Sequence, residues 1–326
     1  MAGLRVFSES WPTRGTWTIS RGSVAAVEVV VVELSQDGHV GRGECRPYAR
    51  YDETVEGVIS DIEALRGALD AGLDRDALQA ALPPGAARNA LDCAFWDLAA
   101  KTAGRRVWDL VPMPAPETLV TAYSLSLGDP ESMGQAAAAQ AHRPLLKLKL
   151  AGADDLARVT AVHRNAPEAR LIVDANEAWS ADDYRTLAPQ LADLGVEMIE
   201  QPLPAADDAA LADLARPVKV CADESCHDTA SLASLAGRYD MINIKLDKTG
   251  GLTEALKLKS AAEAQGYGIM VGCMLATSLA MAPATLVAQG AAVVDLDGPL
   301  LLDRDRPDGL RFEDSLIHPP SPALWG

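Results

Sequence analysis

Charged side chains recur at near-even intervals inside apolar runs: Lys149 in LLKLKL, Asp174 in LIVDAN, Glu200 in EMIEQP, Asp223 in KVCADE, Lys245 in MINIKL and Asp295 in AVVDLD. The first five lie 25, 26, 23 and 22 residues apart. A charge at the end of a buried strand is costly unless it is paired or used. A series of them at the period of a strand plus a helix therefore points to a ring of strands converging on one site. Asp174, Glu200 and Asp223 form a donor set without His or Cys, suited to a hard divalent cation, most simply Mg²⁺. Crowding three carboxylates without a cation would raise at least one pKa. Lys147 and Lys149 are two apart and share a side of their strand, with Leu146, Leu148 and Leu150 left to face the helices. Lys245 repeats the alternation in INIKL and would face the site from the opposite side. Nearby ammonium groups and the metal would depress a lysine's pKa towards neutrality, as a general base requires. Two lysines flanking a metal-held carboxylate have one clear use. One removes an α-proton, a metal-stabilised enediolate forms, and the other returns a proton on the opposite face. Such 1,1-proton transfer is epimerisation or racemisation and needs no redox cofactor.

The elements that would position these groups can be read from pattern. Residues 4–11 and 24–34 look like strands, β-branched and followed by a turn at Gly38. Residues 53–71 and 86–101 look like helices; in the second, Ala87, Ala90, Leu91, Ala94, Phe95 and Leu98 recur at helical spacing. This predicts a small α+β domain over 1–115, ending in the linker-like VPMPAPET. From Leu119 the texture changes to eight short apolar runs separated by seven Ala/Leu-rich stretches: TAYSLSL, LLKLKL, LIVDAN, MIEQPL, VKVCADE, MINIKL, GIMVGCM and AVVDLD. Parallel strands need such crossovers, and eight of them predict a (β/α)-type barrel over 116–304 with its site at the C-terminal strand ends. Residues 305–326 are Pro-rich and are expected to be irregular, returning to the N-terminal domain.

The strings KLKL, VDAN, IEQP, ADES and NIKLDKTGG, with GECRPYARY, AARNALDCAFWDLA, GCMLATS and DLDGP, run in order along the chain. Together they resemble the enolase superfamily in its muconate-lactonising-like branch, and most closely the L-Ala-D/L-Glu (dipeptide) epimerases. The resemblance covers essentially the whole chain. It implies an α+β cap over a modified TIM barrel, (β/α)₇β. It implies one Mg²⁺ per subunit on Asp174, Glu200 and Asp223, Lys149 and Lys245 as the acid/base pair, and Lys147 as their electrostatic neighbour. It implies that Asp295 and Asp297, the D-x-D of the last strand, hold a substrate's free α-ammonium, which two acids on one side of a strand also suit. Ser124 stands where the family often carries Thr and would keep a hydrogen bond to substrate. Met274 and Leu275 would line the pocket. Asn176 is placed to orient a ligand or a lysine, and Glu224, directly after Asp223, would either support the site from behind the ligands or point into a helix layer. Two cap loops, roughly 14–23 and 47–53, would close over the barrel. Arg21 is the candidate for a glutamyl side-chain carboxylate, ahead of Arg14, Arg50, Tyr48 and Tyr51. The implied activity interconverts L-Ala-L-Glu and L-Ala-D-Glu, in the setting of murein peptide recycling. Other superfamily activities use the same lysines and metal: o-succinylbenzoate synthase, muconate cycloisomerase and N-acylamino-acid racemase. A non-catalytic binding barrel is a more distant alternative.

Composition narrows the classes. A net charge of −17 with no basic stripe argues against nucleic acid as partner. No apolar run approaches the length of a membrane span, and the N-terminus lacks the pattern of a secretory signal. Five cysteines without framework spacing suit a reducing cytoplasm. The partner expected is a small dipeptide, with room left for a homo-oligomer. His227 and the Gly turn of KTGGLTEAL read as structural rather than as a metal ligand and a phosphate cradle.

Overall fold

The computed structural model describes residues 3–326. An antiparallel sheet opens the chain: β1 (Gly3–Ile19), β2 (Gly22–Gln36) and β3 (His39–Cys45). Helices α1 (Val55–Ala64) and α2 (Ala86–Ala103) follow. α1 starts where the Thr54 side chain accepts the Gly57 N–H, an N-cap that satisfies one of the first turn's free donors. The inner sheet residues Val30, Val32 and Leu34 pack with Leu91, Ala94 and Leu98 of α2 into one core of this cap.

Two expectations for the cap need correction. The loop expected at 14–23 is mostly strand: β1 and β2 continue past a bulge between Pro12 and Trp17, pairing Trp17 with Val24 and Thr18 with Ser23. Aromatic and β-branched residues in that arm favour the pleat, and only the tip around Ser20 and Arg21 turns. The helix expected over 53–71 is broken at Leu65, and a further helix, Arg75–Ala81, is capped by Asp74.

The second unit is a parallel sheet of eight strands: β4 (Tyr123–Leu125), β5 (Leu145–Lys149), β6 (Arg170–Asp174), β7 (Val196–Glu200), β8 (Lys219–Ala222), β9 (Met241–Ile244), β10 (Gly268–Gly272) and β11 (Val293–Asp295). The ring meets where the Ala122 N–H donates to the Val294 carbonyl at 2.8 Å. Side chains alternate across each strand, and the consequence is layered. Ala122, Leu145, Ile172, Met198, Cys221, Met241, Met270 and Val293, one from each strand or its approach, form a buried apolar plate inside the ring. Two residues further along each chain come Ser124, Lys147, Asp174, Glu200, Asp223, Asn243, Gly272 and Asp295. The polar ring therefore stands one pleat above a dry floor. The connection between β7 and β8 is a 3₁₀ segment, Ala205–Ala212.

The C-terminal stretch is less irregular than expected. Phe312–Glu313 pairs with Leu316–Ile317, and the latter pairs with Leu119–Val120 just before the barrel. The return to the cap is made on either side of this hairpin. Arg306 reaches Glu9 at 2.7 Å and buried Glu44 at 2.5 Å, while the Trp325 indole donates to the Cys93 carbonyl at 3.0 Å.

Candidate active site

Register places the charges side by side: Lys149 is opposite Asp174, and Asp174 opposite Glu200. Lys147 is almost wholly buried and stands among three acids, 2.6 Å from Asp295, 2.6 Å from Glu200 and 3.4 Å from Asp174. Lys149 pairs with Asp174 at 2.6 Å, and Lys245 with Asp223 at 2.6 Å. β5 and β9 are four places apart in a ring of eight, so Lys149 and Lys245 approach from opposite walls.

Electrostatics in this ring divide the acids. Burial raises the Glu200 carboxyl, and neighbouring Asp174 adds to it, carrying its pKa to about 7. Burial acts the same way on Asp174, but Lys149 and Lys147 outweigh it and hold the group at about 2. Asp223 is likewise held well below the usual range, because Lys245 and Lys248 overcome its burial. For the lysines the expected depression is reversed. Burial would lower Lys147 and Lys245, yet Asp295 and Glu200 on the first and Asp223 on the second raise both well above the ordinary value.

Among the described residues no three His, Cys, Asp or Glu side chains stand as a ready-made cation cage. Each carboxylate turns to a lysine instead. The donor set nevertheless fits a hard cation. Glu200 Oε2 has no hydrogen bond, since Lys147 approaches it off the direction one requires. Its other oxygen accepts from Asn243 Nδ2 at 2.8 Å. Asp174 Oδ1 accepts the Asn176 N–H at 2.9 Å, so Asn176 orients this carboxylate through its backbone, at a φ of 45°.

Above the ring a cavity of about 460 Å³ opens, within the range of small-molecule sites. Lys149, Lys245, Asp223, Ser124, Asp295 and Asp297 face it from the barrel, and Met274 and Leu275 line it. Asp297 Oδ2 accepts the Ser124 N–H at 2.6 Å; burial, then Asp295, raises its carboxyl to about 7. Asp295 is tied to Lys147 below, so of the D-x-D pair Asp297 is the acid without a lysine partner. Arg21 reaches the cavity from the tip of the β1–β2 arm but is already engaged. It lies 2.8 Å from Glu224 and donates to the Asn176 carbonyl at 3.0 Å and to the Tyr48 hydroxyl at 3.1 Å. Glu224 is thus a partner of the cap and not a member of the helix layer; burial and Asp223 raise it to about 7. Arg50 forks onto Glu177, both contacts at 2.7 Å. Arg14 instead donates to the Leu302 carbonyl at 2.8 Å.

Some contributors lay outside the sequence-based expectation. Asn243 obeys the same alternation as Lys245 but carries no charge to mark it. Gly272 makes room for it: a Cβ there would stand 2.8 Å from the Asn243 amide. Lys248 is fully buried, 2.7 Å from Asp223 Oδ1 and 2.9 Å from the Asn243 carbonyl. The loop bearing Lys245 and Lys248 is gripped by α2. Arg88 donates to the Thr249 carbonyl at 2.7 Å, Asn89 to Asp247 at 2.8 Å, and Asp92 accepts from the Thr253 N–H at 2.9 Å. At Gly251, φ 111°, a Cβ would stand 2.5 Å from Asp92, so the Gly turn serves this close approach and not a phosphate. His227 Nε2 lies 3.0 Å from the Glu224 carbonyl, away from the carboxylate ring.

Two domain families match the chain: Mandelate racemase / muconate lactonizing enzyme, N-terminal domain, over residues 1–111, and Enolase C-terminal domain-like over 131–323. The chain belongs to the enolase superfamily. Within it, the chain is 48% identical over 320 residues to the L-Ala-D/L-Glu epimerase of Escherichia coli K12, covering 98% of this chain and all of that one. It is 44% identical to an N-acetyl-D-glutamate racemase from a Pseudoalteromonas species, covering 91% of this chain and 95% of the relative. Among solved structures it superposes with a TM-score of 0.98, at 53% identity and full coverage of both chains, on an enolase family member from Agrobacterium tumefaciens with homology to dipeptide epimerases. That structure is described with bound sodium, L-Ala-L-Glu and an ordered loop. This superfamily member is an enzyme of the isomerase class.

Proposed function

We propose that this enolase-superfamily isomerase is an Mg²⁺-dependent L-Ala-D/L-Glu epimerase acting by two-base 1,1-proton transfer. The observation that carries the reading is the pair Lys149 and Lys245, on opposite walls of one cavity and flanking three buried carboxylates. Asp174, Glu200 and Asp223 would hold the metal, one per subunit, which would draw these acids from the lysines and act as a Lewis acid at the substrate's carboxylate. The lysine facing the α-hydrogen takes the proton, and the enediolate that results is reprotonated by the lysine opposite. Lys147 keeps the floor of the acid cluster neutralised, and Asn243 and Asn176 fix the carboxylates on which the geometry depends. Asp297, with Asp295 beside it, receives the substrate's α-ammonium, while Ser124 and Met274 bound that end. Arg21 stands at the opposite, cationic end, where a substrate carboxylate would compete with Glu224 for it. The division at residue 115, with 305–326 completing the cap, is part of the same reading, supported by the Arg306 and Trp325 contacts.

No helix among the described residues is long and apolar enough to cross a membrane, and all five cysteines are free. We place the enzyme in the cytoplasm, acting on dipeptides from murein recycling; association with further copies of the chain is compatible with this role.

The test is NMR of the protein with L-Ala-L-Glu and Mg²⁺ in D₂O, with EDTA as control. Growth of the D-Glu epimer carrying deuterium at its α-carbon, abolished by EDTA, is expected. Absence of both epimer and exchange overturns the assignment. A second reading, racemisation of an N-acylated glutamate, is favoured by the 44% relative. An N-acyl substrate has no ammonium for Asp297, so Asp295→Asn combined with Asp297→Asn separates the two. Loss of dipeptide turnover with metal binding retained supports the dipeptide.

A further inference from the structure

The three acids of the ring divide their oxygens in the same way. In each, one oxygen is tied to a fixed donor of the scaffold. Asp174 Oδ1 accepts the Asn176 N–H at 2.9 Å, Glu200 Oε1 accepts from Asn243 Nδ2 at 2.8 Å, and Asp223 Oδ1 accepts from Lys248 Nζ at 2.7 Å. The other oxygen meets a different lysine: Lys149 at Asp174 Oδ2, Lys147 at Glu200 Oε2 and Lys245 at Asp223 Oδ2, all at 2.6 Å. Where one of these ammonium groups nears a tied oxygen, Lys245 at Glu200 Oε1, it stands off at 3.9 Å. The fixed donors have little freedom to turn away. Lys248 is buried and directs its three N–H donors to Asp223 Oδ1, to the Asp223 carbonyl at 2.5 Å and to the Asn243 carbonyl at 2.9 Å. One side chain thus pins the ends of β8 and β9 together. Asn243 is equally buried, and its amide lies in a slot too narrow for a Cβ at Gly272. Turned over, that amide would set its oxygen against the Glu200 carboxylate, so the donor stays on the acid's side. A carboxylate with one oxygen tied has one left to offer a cation. Mg²⁺ demands near-ideal octahedral geometry and keeps several waters, whereas Ca²⁺ takes about 6–8 oxygens and readily uses both oxygens of a carboxylate.

We propose that Asn243 and Lys248, together with the Asn176 N–H, are positioning residues that set cation selectivity: by holding one oxygen of each acid they restrict the set to three single-oxygen contacts and favour Mg²⁺ over Ca²⁺. The inference rests on the reading of Asp174, Glu200 and Asp223 as the Mg²⁺ site. It separates Lys248 from its neighbours. Lys147, Lys149 and Lys245 meet the oxygens a metal would take, whereas Lys248 holds one that it would not.

The experiment measures Kd for Mg²⁺ and for Ca²⁺ by titration calorimetry, without substrate, in the wild type, Asn243→Leu and Lys248→Met, with thermal unfolding of each variant as a folding control. The wild type should bind Mg²⁺ more tightly than Ca²⁺. Loss of one support behind a metal ligand weakens binding by about 10- to 100-fold, and the exacting ion should suffer more than the adaptable one. The Mg²⁺-over-Ca²⁺ preference should therefore fall by about 10-fold in each variant. Lys248→Met also removes a charge, but that acts alike on two ions of equal charge and cancels from the ratio. Should neither variant fold, the wild type still decides. Mn²⁺, which shares the preference for oxygen donors, should carry about three water ligands by pulsed EPR in oxygen-labelled water, the complement of three single-oxygen acids in an octahedral shell. A wild type without preference for Mg²⁺, a ratio unchanged within about twofold in either folded variant, or fewer waters than that on Mn²⁺ overturns the proposal. A wild type that binds neither Mg²⁺ nor Ca²⁺ overturns the reading of the three acids as a metal site, and the proposal with it.

Discussion

Lys149 and Lys245 do not resemble the isolated, acidified base that a proton-abstracting lysine is expected to be; each lies 2.6 Å from a carboxylate. Their pairing assigns them one face each, so single substitutions should separate the two halves of the reaction. Lys149→Ala and Lys245→Ala should each stop epimerisation, while each variant still exchanges the α-proton of one epimer with D₂O, and the two variants should differ in which epimer that is. Retained epimerisation in either removes that lysine from its role. Lys147, Lys149, Asp174, Glu200, Asp223 and Lys245 were legible in sequence because a charge inside an apolar run is conspicuous. Asn243 was not, because an uncharged amide leaves no mark in a strand.

At the scale of elements, α2 fixes the Lys245 loop, and two tests belong to that contact. Asp247 is buried beneath Asn89 and the Arg46 N–H, both of which donate to its Oδ1. Burial raises its carboxyl to about 7 from an ordinary value near 4. Between those values the folded protein holds a proton that the unfolded chain has lost, so this group's contribution to stability falls as pH rises through the window and levels off above it. Asp247→Asn keeps both acceptor contacts and removes the titration. In urea titrations the variant should gain on the wild type between pH 4 and 8, by up to roughly 4 kcal/mol for a carboxyl carried from near 4 to about 7; parallel curves would sink the assignment. Gly251→Ala drives a methyl group onto Asp92 at a φ of 111° and should cost about 2 kcal/mol or more, with kcat falling as Lys245 moves. An unfolding midpoint equal to the wild type's would contradict this. Strand positions were readable from apolar runs, but the β1–β2 arm was not. PTRGT reads as a turn, and only the pairing across the bulge shows the strands continuing to the barrel mouth.

Across the whole molecule the cap and barrel are joined by buried charge. Arg306 links Glu9 of β1 and Glu44 of β3 to the Thr277 hydroxyl, which caps the helix after β10. Arg306→Ala leaves Glu44 buried beside a lost partner and should destabilise the fold by about 3–5 kcal/mol in denaturant titration; a change under about 1 kcal/mol would show the cap to be held by its apolar contacts alone. Sequence indicated two units and a returning tail, yet not the salt clasp, since its members are 262 and 297 residues apart. The plate of eight apolar side chains beneath the polar ring has its own consequence. It seals the floor of the site, because protons do not leak through packed hydrocarbon. A deuteron lifted from substrate onto Lys149 or Lys245 has no way out through that plate and trades with solvent by way of the cavity above it. The isotope retained per turnover therefore reads out how freely water reaches that cavity while substrate fills it.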